Sequence, residues 1–294
     1  MNEREFDAKL FDLYDEYCHG SMKRREFLAS AAALAAIAGL PGCGEKAKEL
    51  LPDYAKTVTV SFTDPRIKAK FVEYESPGGN GKMRGYLVTP VEPGACGAVL
   101  VVHENRGLNP YVQDVARRVA VDGFIAFAPD ALAPLGGYPG NDDDGKAMQR
   151  QLDRAKIHAD MLNGAKLVRS HERCNGKLGV TGFCFGGGVS NYLAVEMGDE
   201  LQAAAPFYGA PADLKRVGEI RAKMAIHYAE NDPRVNEHKD AYEAALKAAG
   251  VDHTMYVYPG TQHGFHNNST PRYDHAAATL AWQRTIDLFK ATLA

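Results

Sequence analysis

Short runs made only of apolar residues recur from residue 98 onward, and they limit the possible folds more than any other feature of the chain. A strand that shows no alternation of apolar and polar residues must be buried on both faces. Stretches with helical character separate the runs, including a long charged one at about residues 146–171. The sequence therefore predicts an α/β fold, with a mostly parallel sheet flanked by helices on both faces. The apolar runs are residues 98–102, 124–128, 178–181, 203–207, 224–228 and 254–258.

The segment before these runs has a different pattern, in which apolar and polar residues alternate. Val58, Val60 and Phe62 follow it, and residues 71–74 and 83–88 continue it across a turn rich in glycine. This predicts antiparallel N-terminal strands. The chain has 294 residues, and we expect residues 44–294 to form one large domain.

Residues 1–43 are predicted to be a separate N-terminal extension that carries an export signal. Lys23-Arg24-Arg25-Glu26-Phe27-Leu28 precedes an alanine-rich apolar run, the layout of a twin-arginine signal. This predicts recognition by the twin-arginine export machinery and a periplasmic location. The alternative is an amphipathic N-terminal helix in a cytoplasmic protein, against which stands the lack of charge between Phe27 and Gly44. Two points stay open: whether Cys43 is lipidated as a membrane anchor, and whether translation starts nearer Met22.

Charge and hydropathy exclude several classes of partner. The net charge is −3, and no cluster of Lys or Arg follows Arg25, so nucleic acid is not expected as a partner. No apolar stretch is long enough for a stable transmembrane helix. A small-molecule substrate is the partner that remains.

Cys96 and Cys174 each precede a predicted strand, and the two strands are expected to be parallel neighbours. A disulfide between them is one alternative. Two free thiols are the default, because the offsets to the two strands differ by a residue.

The turn after residues 178–181 carries the candidate nucleophile. Gly182-Phe183-Cys184-Phe185-Gly186 lies between a strand and a helix and matches the nucleophile elbow G-x-S-x-G, with cysteine in the serine position. Such a turn is strained, and it needs small residues on either side of the nucleophile. The following helix directs its N-terminal dipole towards Cys184, which favours a thiolate, and the N–H of Phe185 is a candidate oxyanion donor.

Asp232 and His263 follow the next suitable strands and complete a candidate triad. The chain order of nucleophile, acid and histidine is the one that this elbow uses, with His263 as base and Asp232 as its orienting partner. Each residue alone has an ordinary structural explanation. The joint placement at the carboxyl ends of parallel strands favours catalysis.

A further loop, at residues 103–107, follows the first apolar run. Glu104 is a carboxylate at the end of a buried strand, where an unpaired charge is costly. It is therefore expected to have a catalytic role or, as the alternative, to form a salt bridge with Arg106. The N–H of Asn105 is the second expected oxyanion donor. The candidate substrate contacts are Arg106, Tyr138, Tyr208 and Phe265.

With these motifs, residues 68–293 resemble the dienelactone hydrolase family, in which a cysteine elbow is the specific feature. The resemblance implies an α/β-hydrolase fold and cleavage of an ester or lactone through a Cys-His-Asp triad and an acyl-enzyme. It also implies that Glu104 helps to convert the thiol of Cys184 to a thiolate. No metal and no organic cofactor is expected, because the nearby pair His263 and His266 lacks a third ligand of suitable spacing.

The chain departs from the family where its dienelactone-cleaving members bind a substrate carboxylate. Those members have a serine and an arginine at the positions that Gly264 and Asn267 occupy in this chain. A further arginine is expected near residues 141–144, which are acidic here. Two lost cationic contacts predict a different substrate, although Arg106 or Arg150 could compensate. Hydrolysis of a thioester or a C–C bond, or a non-catalytic binding role, remain the alternatives.

Overall fold

The computed structural model describes residues 2–20, 22–39, 46–48 and 50–294. Its sheet has eight strands in the order β1-β2-β4-β3-β5-β6-β7-β8. The pairs β1–β2 and β2–β4 are antiparallel, and all other pairs are parallel. The predicted α/β fold is therefore confirmed. The strands are β1 Ile67–Ser76, β2 Gly81–Pro90, β3 Cys96–Val102, β4 Ile125–Pro129, β5 Cys174–Phe183, β6 Ala203–Phe207, β7 Lys223–Asn231 and β8 His253–Gln262.

Helices cover both faces of the sheet. Apolar side chains of α3 and α9 pack on one face, and those of α5, α6 and α8 pack on the other. Strand β3 shows why its sequence is continuously apolar: Val99 and Val101 point into the first layer, while Leu100 and Val102 point into the second. The helices are α1 Glu3–His19, α2 Arg24–Ala38, α3 Pro110–Val121, α4 Asp142–Gln149, α5 Arg154–Arg169, α6 Phe185–Glu196, α7 Pro233–Asn236, α8 Lys239–Ala248 and α9 His275–Leu293.

The alternation at Val58, Val60 and Phe62 does not produce a strand, and this part of the prediction was wrong. Val58 and Phe62 are 56% and 71% exposed. The backbone N–H of Val60 donates to Asp114 Oδ1 at 2.9 Å, and its carbonyl accepts from Arg117 Nε at 2.5 Å. Because two side chains of α3 satisfy this backbone, the segment needs no partner strand.

The predicted helical stretch at residues 146–171 is two helices rather than one. α4 ends at Gln149, and α5 begins at Arg154. Asp153 separates them, since its side chain accepts from the N–H of Ala155 at 2.7 Å and so caps α5.

Cys96 and Cys174 are direct register partners on parallel strands β3 and β5. A register shift between Cys96 and Ala98 accommodates the offset that the sequence showed. Both thiols are free.

The N-terminal extension forms a helical hairpin of α1 and α2, which we call the N-terminal hairpin (residues 3–38). It has a small core of its own, in which the ring of Phe27 lies 5.1 Å from that of Tyr17 and 5.7 Å from that of Tyr14. Within the described ranges, no helix is both long enough and apolar enough to cross a membrane. Cys43 and the predicted boundary at residues 43 and 44 lie outside the described residues.

Candidate active site

Cys184 lies in a strained turn between the last residue of β5 and the first residue of α6. Its φ is 54° and its ψ is −112°, a conformation that costs a non-glycine residue free energy. The glycines on either side allow the close approach. A Cβ at Gly182 would lie 2.2 Å from the carbonyl oxygen of Gly186, and one at Gly186 would lie 2.3 Å from that of Val102. The structure thus holds the thiol at the top of the sheet by a backbone that larger residues could not adopt.

Asp232 and His263 follow β7 and β8 and meet beside this turn. His263 Nδ1 lies 2.5 Å from Asp232 Oδ2, and both side chains are nearly completely buried. Asp232 also accepts from the backbone N–H of Val235 at 3.3 Å, which fixes its carboxylate at the start of α7. The other ring nitrogen of His263, Nε2, is buried and has no hydrogen-bond partner among the described residues. His263 and Cys184 line the same cavity.

The electrostatics favour an ion pair between Cys184 and His263. Burial raises the pKa of the Cys184 thiol, but His263 and a second histidine, His19, outweigh it and hold the pKa well below its usual value. Burial lowers the pKa of His263, but the Cys184 thiolate and the Asp232 carboxylate raise it to about 10. Both shifts favour a thiolate beside an imidazolium.

Glu104 and Asn105 lie in the same cavity as Cys184. Glu104 Oε2 accepts from Asn267 Nδ2 at 3.0 Å, and burial raises the pKa of its carboxyl group. The ion pair of Arg106 is with Asp142, at 2.8 Å, rather than with Glu104. Asn267, which stands where the resemblance leads one to expect an arginine, thus holds Glu104 in place.

The cavity contains two arginines, one of which, Arg106, the sequence analysis named as a possible replacement for the lost cationic contacts. Arg106 reaches it from the loop after β3, and Arg272 reaches it from the loop between β8 and α9. Sequence reasoning missed Arg272, because nothing in the linear spacing shows that its loop folds back over His263.

The other predicted substrate contacts do not line this cavity. Tyr208 is buried, and its ring packs on that of His263 at a centroid distance of 4.9 Å. Phe265 is fully buried and packs on Tyr208. Tyr138 donates to Asp142 Oδ1 at 3.0 Å and lines a different cavity, and His266 pairs with the hydroxyl of Tyr111.

The N-terminal hairpin covers this site, which the sequence did not predict. His19, the last residue of α1, places Nε2 3.5 Å from Cys184 Sγ, and its ring contacts that of His263 edge-on at 4.6 Å. Asp15, one turn earlier, lies 3.1 Å from Nδ1 of His19. A second aspartate–histidine pair therefore approaches the thiol.

Polar side chains of the larger domain hold the hairpin in this position. Asn105 Nδ2 donates to the carbonyl of Cys18 at 3.0 Å, and Arg150 Nη2 donates to that of His19 at 2.8 Å. Arg272 pairs with Asp15 at 3.2 Å. The remaining cavity has a volume of about 10 Å³, which is room for roughly one water molecule. The half-buried Cys184 therefore has little free space for a substrate beside it while the hairpin is in this position.

A signal for this packing was present in the sequence. Phe6, Leu10, Tyr14 and Tyr17 recur at helical spacing before the arginine pair, and all four are buried. An export signal alone does not require such a stripe.

Comparison with known proteins identifies the larger domain. The sequence model of the dienelactone hydrolase family matches residues 83–293. The chain belongs to this family. A second model, described as YqhI-like, matches residues 1–35, which contain α1 and most of α2. The hairpin and the hydrolase domain are thus matched by separate families.

Relatives and solved structures agree with this assignment. Protein usf of Aquifex pyrophilus is 36% identical over 235 residues, which covers 76% of this chain and 99% of that protein. A protein of Aquifex aeolicus with the name "Putative carboxymethylenebutenolidase" is 34% identical over 237 residues, covering 76% and 99% of the two chains. The crystal structure of a dienelactone hydrolase-like promiscuous phosphotriesterase from metagenomic libraries has a TM-score of 0.68 at 23% identity. It covers 78% of this chain and 100% of that one, and it supports the α/β-hydrolase fold.

Proposed function

We propose that this member of the dienelactone hydrolase family cleaves a carboxylic ester or lactone with Cys184 as the nucleophile. The observation that carries the proposal is the strained thiol beside the buried pair of Asp232 and His263. The family supports hydrolysis, and these three side chains support the thiol mechanism.

The proposed reaction has two halves. The thiolate of Cys184 attacks the carbonyl carbon, and the carbonyl electron pair moves to oxygen, where the N–H groups of Phe185 and Asn105 stabilise it. As the C–O bond of the ester breaks, the imidazolium of His263 gives its proton to the leaving oxygen. His263 then takes a proton from water, the resulting hydroxide attacks the thioester, and the C–S bond breaks to release the thiolate and a carboxylic acid, which loses its proton to solvent.

We further propose that the substrate carries an anionic group. Arg272 lines the cavity beside Cys184, and guanidinium groups bind carboxylates in bidentate geometry, whereas the second arginine of the cavity, Arg106, is already paired with Asp142. The hairpin supports this proposal, since it places the carboxylate of Asp15 against Arg272 in the closed state.

The mechanism is tested by hydrolysis of p-nitrophenyl esters with the full chain. Cys184→Ala should abolish turnover, and Cys174→Ala, which removes a free thiol far along β5, should retain it. Equal turnover by wild type and Cys184→Ala would overturn the thiol mechanism.

The anionic substrate is tested with a pair of esters that differ only in a terminal carboxylate. Arg272→Ala should raise KM for the anionic ester more than for the neutral one. The quantity to compare is the ratio of KM for the neutral ester to KM for the anionic ester, because a loosened hairpin changes both KM values equally. An unchanged ratio would rule out Arg272 as an anion contact.

Export through the twin-arginine machinery to the periplasm is a separate proposal. It is supported by Arg24 and Arg25, which are exposed at the start of α2 while the hairpin is folded on the domain. Exchange of both arginines for lysine should leave the protein in the cytoplasm, as measured by cell fractionation. Normal periplasmic recovery of this variant would refute the proposal, and a membrane-bound fraction sensitive to Cys43→Ala would indicate lipidation.

A further inference from the structure

Three side chains with metal-binding atoms meet at the closed hairpin. The ligand atoms of His19, Cys184 and His263 all lie within 4.8 Å of one another. One sulfur and two imidazole nitrogens form a donor set that suits Zn²⁺. The sequence offered only His263 and His266 as a pair, and the structure replaces His266 by His19 from the N-terminal hairpin.

One donor separation matches that expected for a shared ion, and the other two do not exceed 4.8 Å. A tetrahedral Zn²⁺ with bonds of about 2.3 Å to sulfur and about 2.05 Å to nitrogen separates these two atoms by roughly 3.6 Å. Cys184 Sγ and His19 Nε2 lie 3.5 Å apart. The cavity of about 10 Å³ leaves room for roughly one water molecule, which can supply the fourth ligand.

Both histidines also have the outer partners that metal-binding histidines use. His263 Nδ1 lies 2.5 Å from Asp232 Oδ2, and His19 Nδ1 lies 3.1 Å from Asp15 Oδ1. A carboxylate on Nδ1 keeps the proton on that nitrogen and leaves the lone pair of Nε2 for a metal. A metal ion that takes the place of the proton on Nε2 of His263 would then meet two nitrogen lone pairs and a thiolate at one point.

We propose that His19, Cys184 and His263 bind one Zn²⁺ ion that fastens the N-terminal hairpin over the active site. The ion accepts an electron pair from the Cys184 thiolate and one from each Nε2. While the ion is bound, Cys184 cannot attack a substrate and His263 cannot transfer a proton. Removal of the ion frees both catalytic side chains and loosens the hairpin. The metal-bound state is therefore a closed, inactive form of the hydrolase.

The proposal is tested by equilibrium binding of Zn²⁺ to the full chain, stripped of metal, in competition with a chromophoric chelator. We expect one ion per chain. His19→Gln keeps a side chain that can hydrogen-bond to Cys184 but removes the ligand, and it should weaken binding by more than about 100-fold, while Asp15→Ala should cost about 10–100-fold. His275→Ala, which removes an exposed histidine at the start of α9, is the matched control and should bind as wild type does.

Co²⁺ gives a second readout that reports the ligands themselves. The cobalt-loaded chain should show a thiolate-to-metal charge-transfer band and the visible bands of a tetrahedral site. Cys184→Ala should lose the charge-transfer band, whereas Cys174→Ala should keep the charge-transfer band and the visible bands. Lack of stoichiometric Zn²⁺ binding, or equal affinity of wild type and His19→Gln, would overturn the proposal. Neither readout requires turnover, so failure here is distinguishable from failure of the proposed hydrolysis.

Discussion

Loosening the N-terminal hairpin should expose Cys184, and Phe27→Ala is the sharpest way to loosen it. Phe27 is 0% exposed, and its ring packs on Tyr14 and Tyr17 of α1. Truncation of a buried phenylalanine to alanine costs about 3–5 kcal/mol. Tyr17 and Tyr14 also face the domain, under Lys146 and Arg272 respectively, so the loss acts on docking as well as on the hairpin core.

The effect can be converted into a rate. A cost of about 3 kcal/mol raises the population of the displaced hairpin by roughly 100-fold, up to the limit of complete displacement. When opening and closing are fast, the alkylation rate of a covered thiol follows that population. Iodoacetamide labelling of Cys184, followed by mass spectrometry of its peptide, should therefore accelerate about 100-fold, and ester hydrolysis should rise with it.

Phe62→Ala is the matched control, because Phe62 is 71% exposed and lies outside both the hairpin and the site. It should label at the wild-type rate. If Phe27→Ala labels as slowly as Phe62→Ala while circular dichroism shows the loss of helix, the hairpin does not limit access to the thiol. The reasoning from the small cavity would then be wrong.

Three further predictions concern the site itself. Asp232→Asn should lower kcat by up to roughly 10⁴-fold with little change in folding, because it disturbs the tautomer and charge of His263, and a kcat within a few-fold of wild type would exclude Asp232 as the orienting acid. Displacement of the hairpin removes His19, but His263, the larger of the two contributions that lower the pKa of Cys184, stays in place. Alkylation of Cys184 in Phe27→Ala should therefore fall less between pH 8 and about pH 7 than that of an ordinary thiol with a pKa of about 8.5. Hydrolysis should fall above about pH 10, where His263 loses the proton it must donate, and an ordinary thiol profile in both assays would contradict the ion pair. Gly186→Ala should destabilise the protein by about 1–3 kcal/mol and disturb the elbow, because its Cβ would meet the carbonyl of Val102. Denaturant unfolding and esterase activity measure the two effects. Gly188→Ala is the control and should be tolerated, because the nearest neighbour of its Cβ would lie at 3.5 Å.

The local patterns that predicted the fold correctly were those with a single physical solution. Residues 98–102 are apolar at every position, and only a strand covered on both faces buries all of them. The alternation at Val58, Val60 and Phe62 is compatible with two structures. The backbone hydrogen bonds of such a segment can be made to a neighbouring strand or to side chains, here those of Asp114 and Arg117. The local sequence does not distinguish between the two.

The sheet, the strained turn at Cys184, and the order in which Asp232 and His263 follow it could be predicted from the sequence. These depend on short-range spacing and on the rule that parallel strands end at one edge. The other residues that reach that edge could be identified only in the folded protein. Arg272 comes from a loop whose path no periodicity encodes, and His19 comes from an extension more than 160 residues before Cys184 in the chain. Contacts of this kind depend on how folded surfaces fit together. The apolar stripe of α1 indicates that the helix packs against something, but it does not indicate which surface.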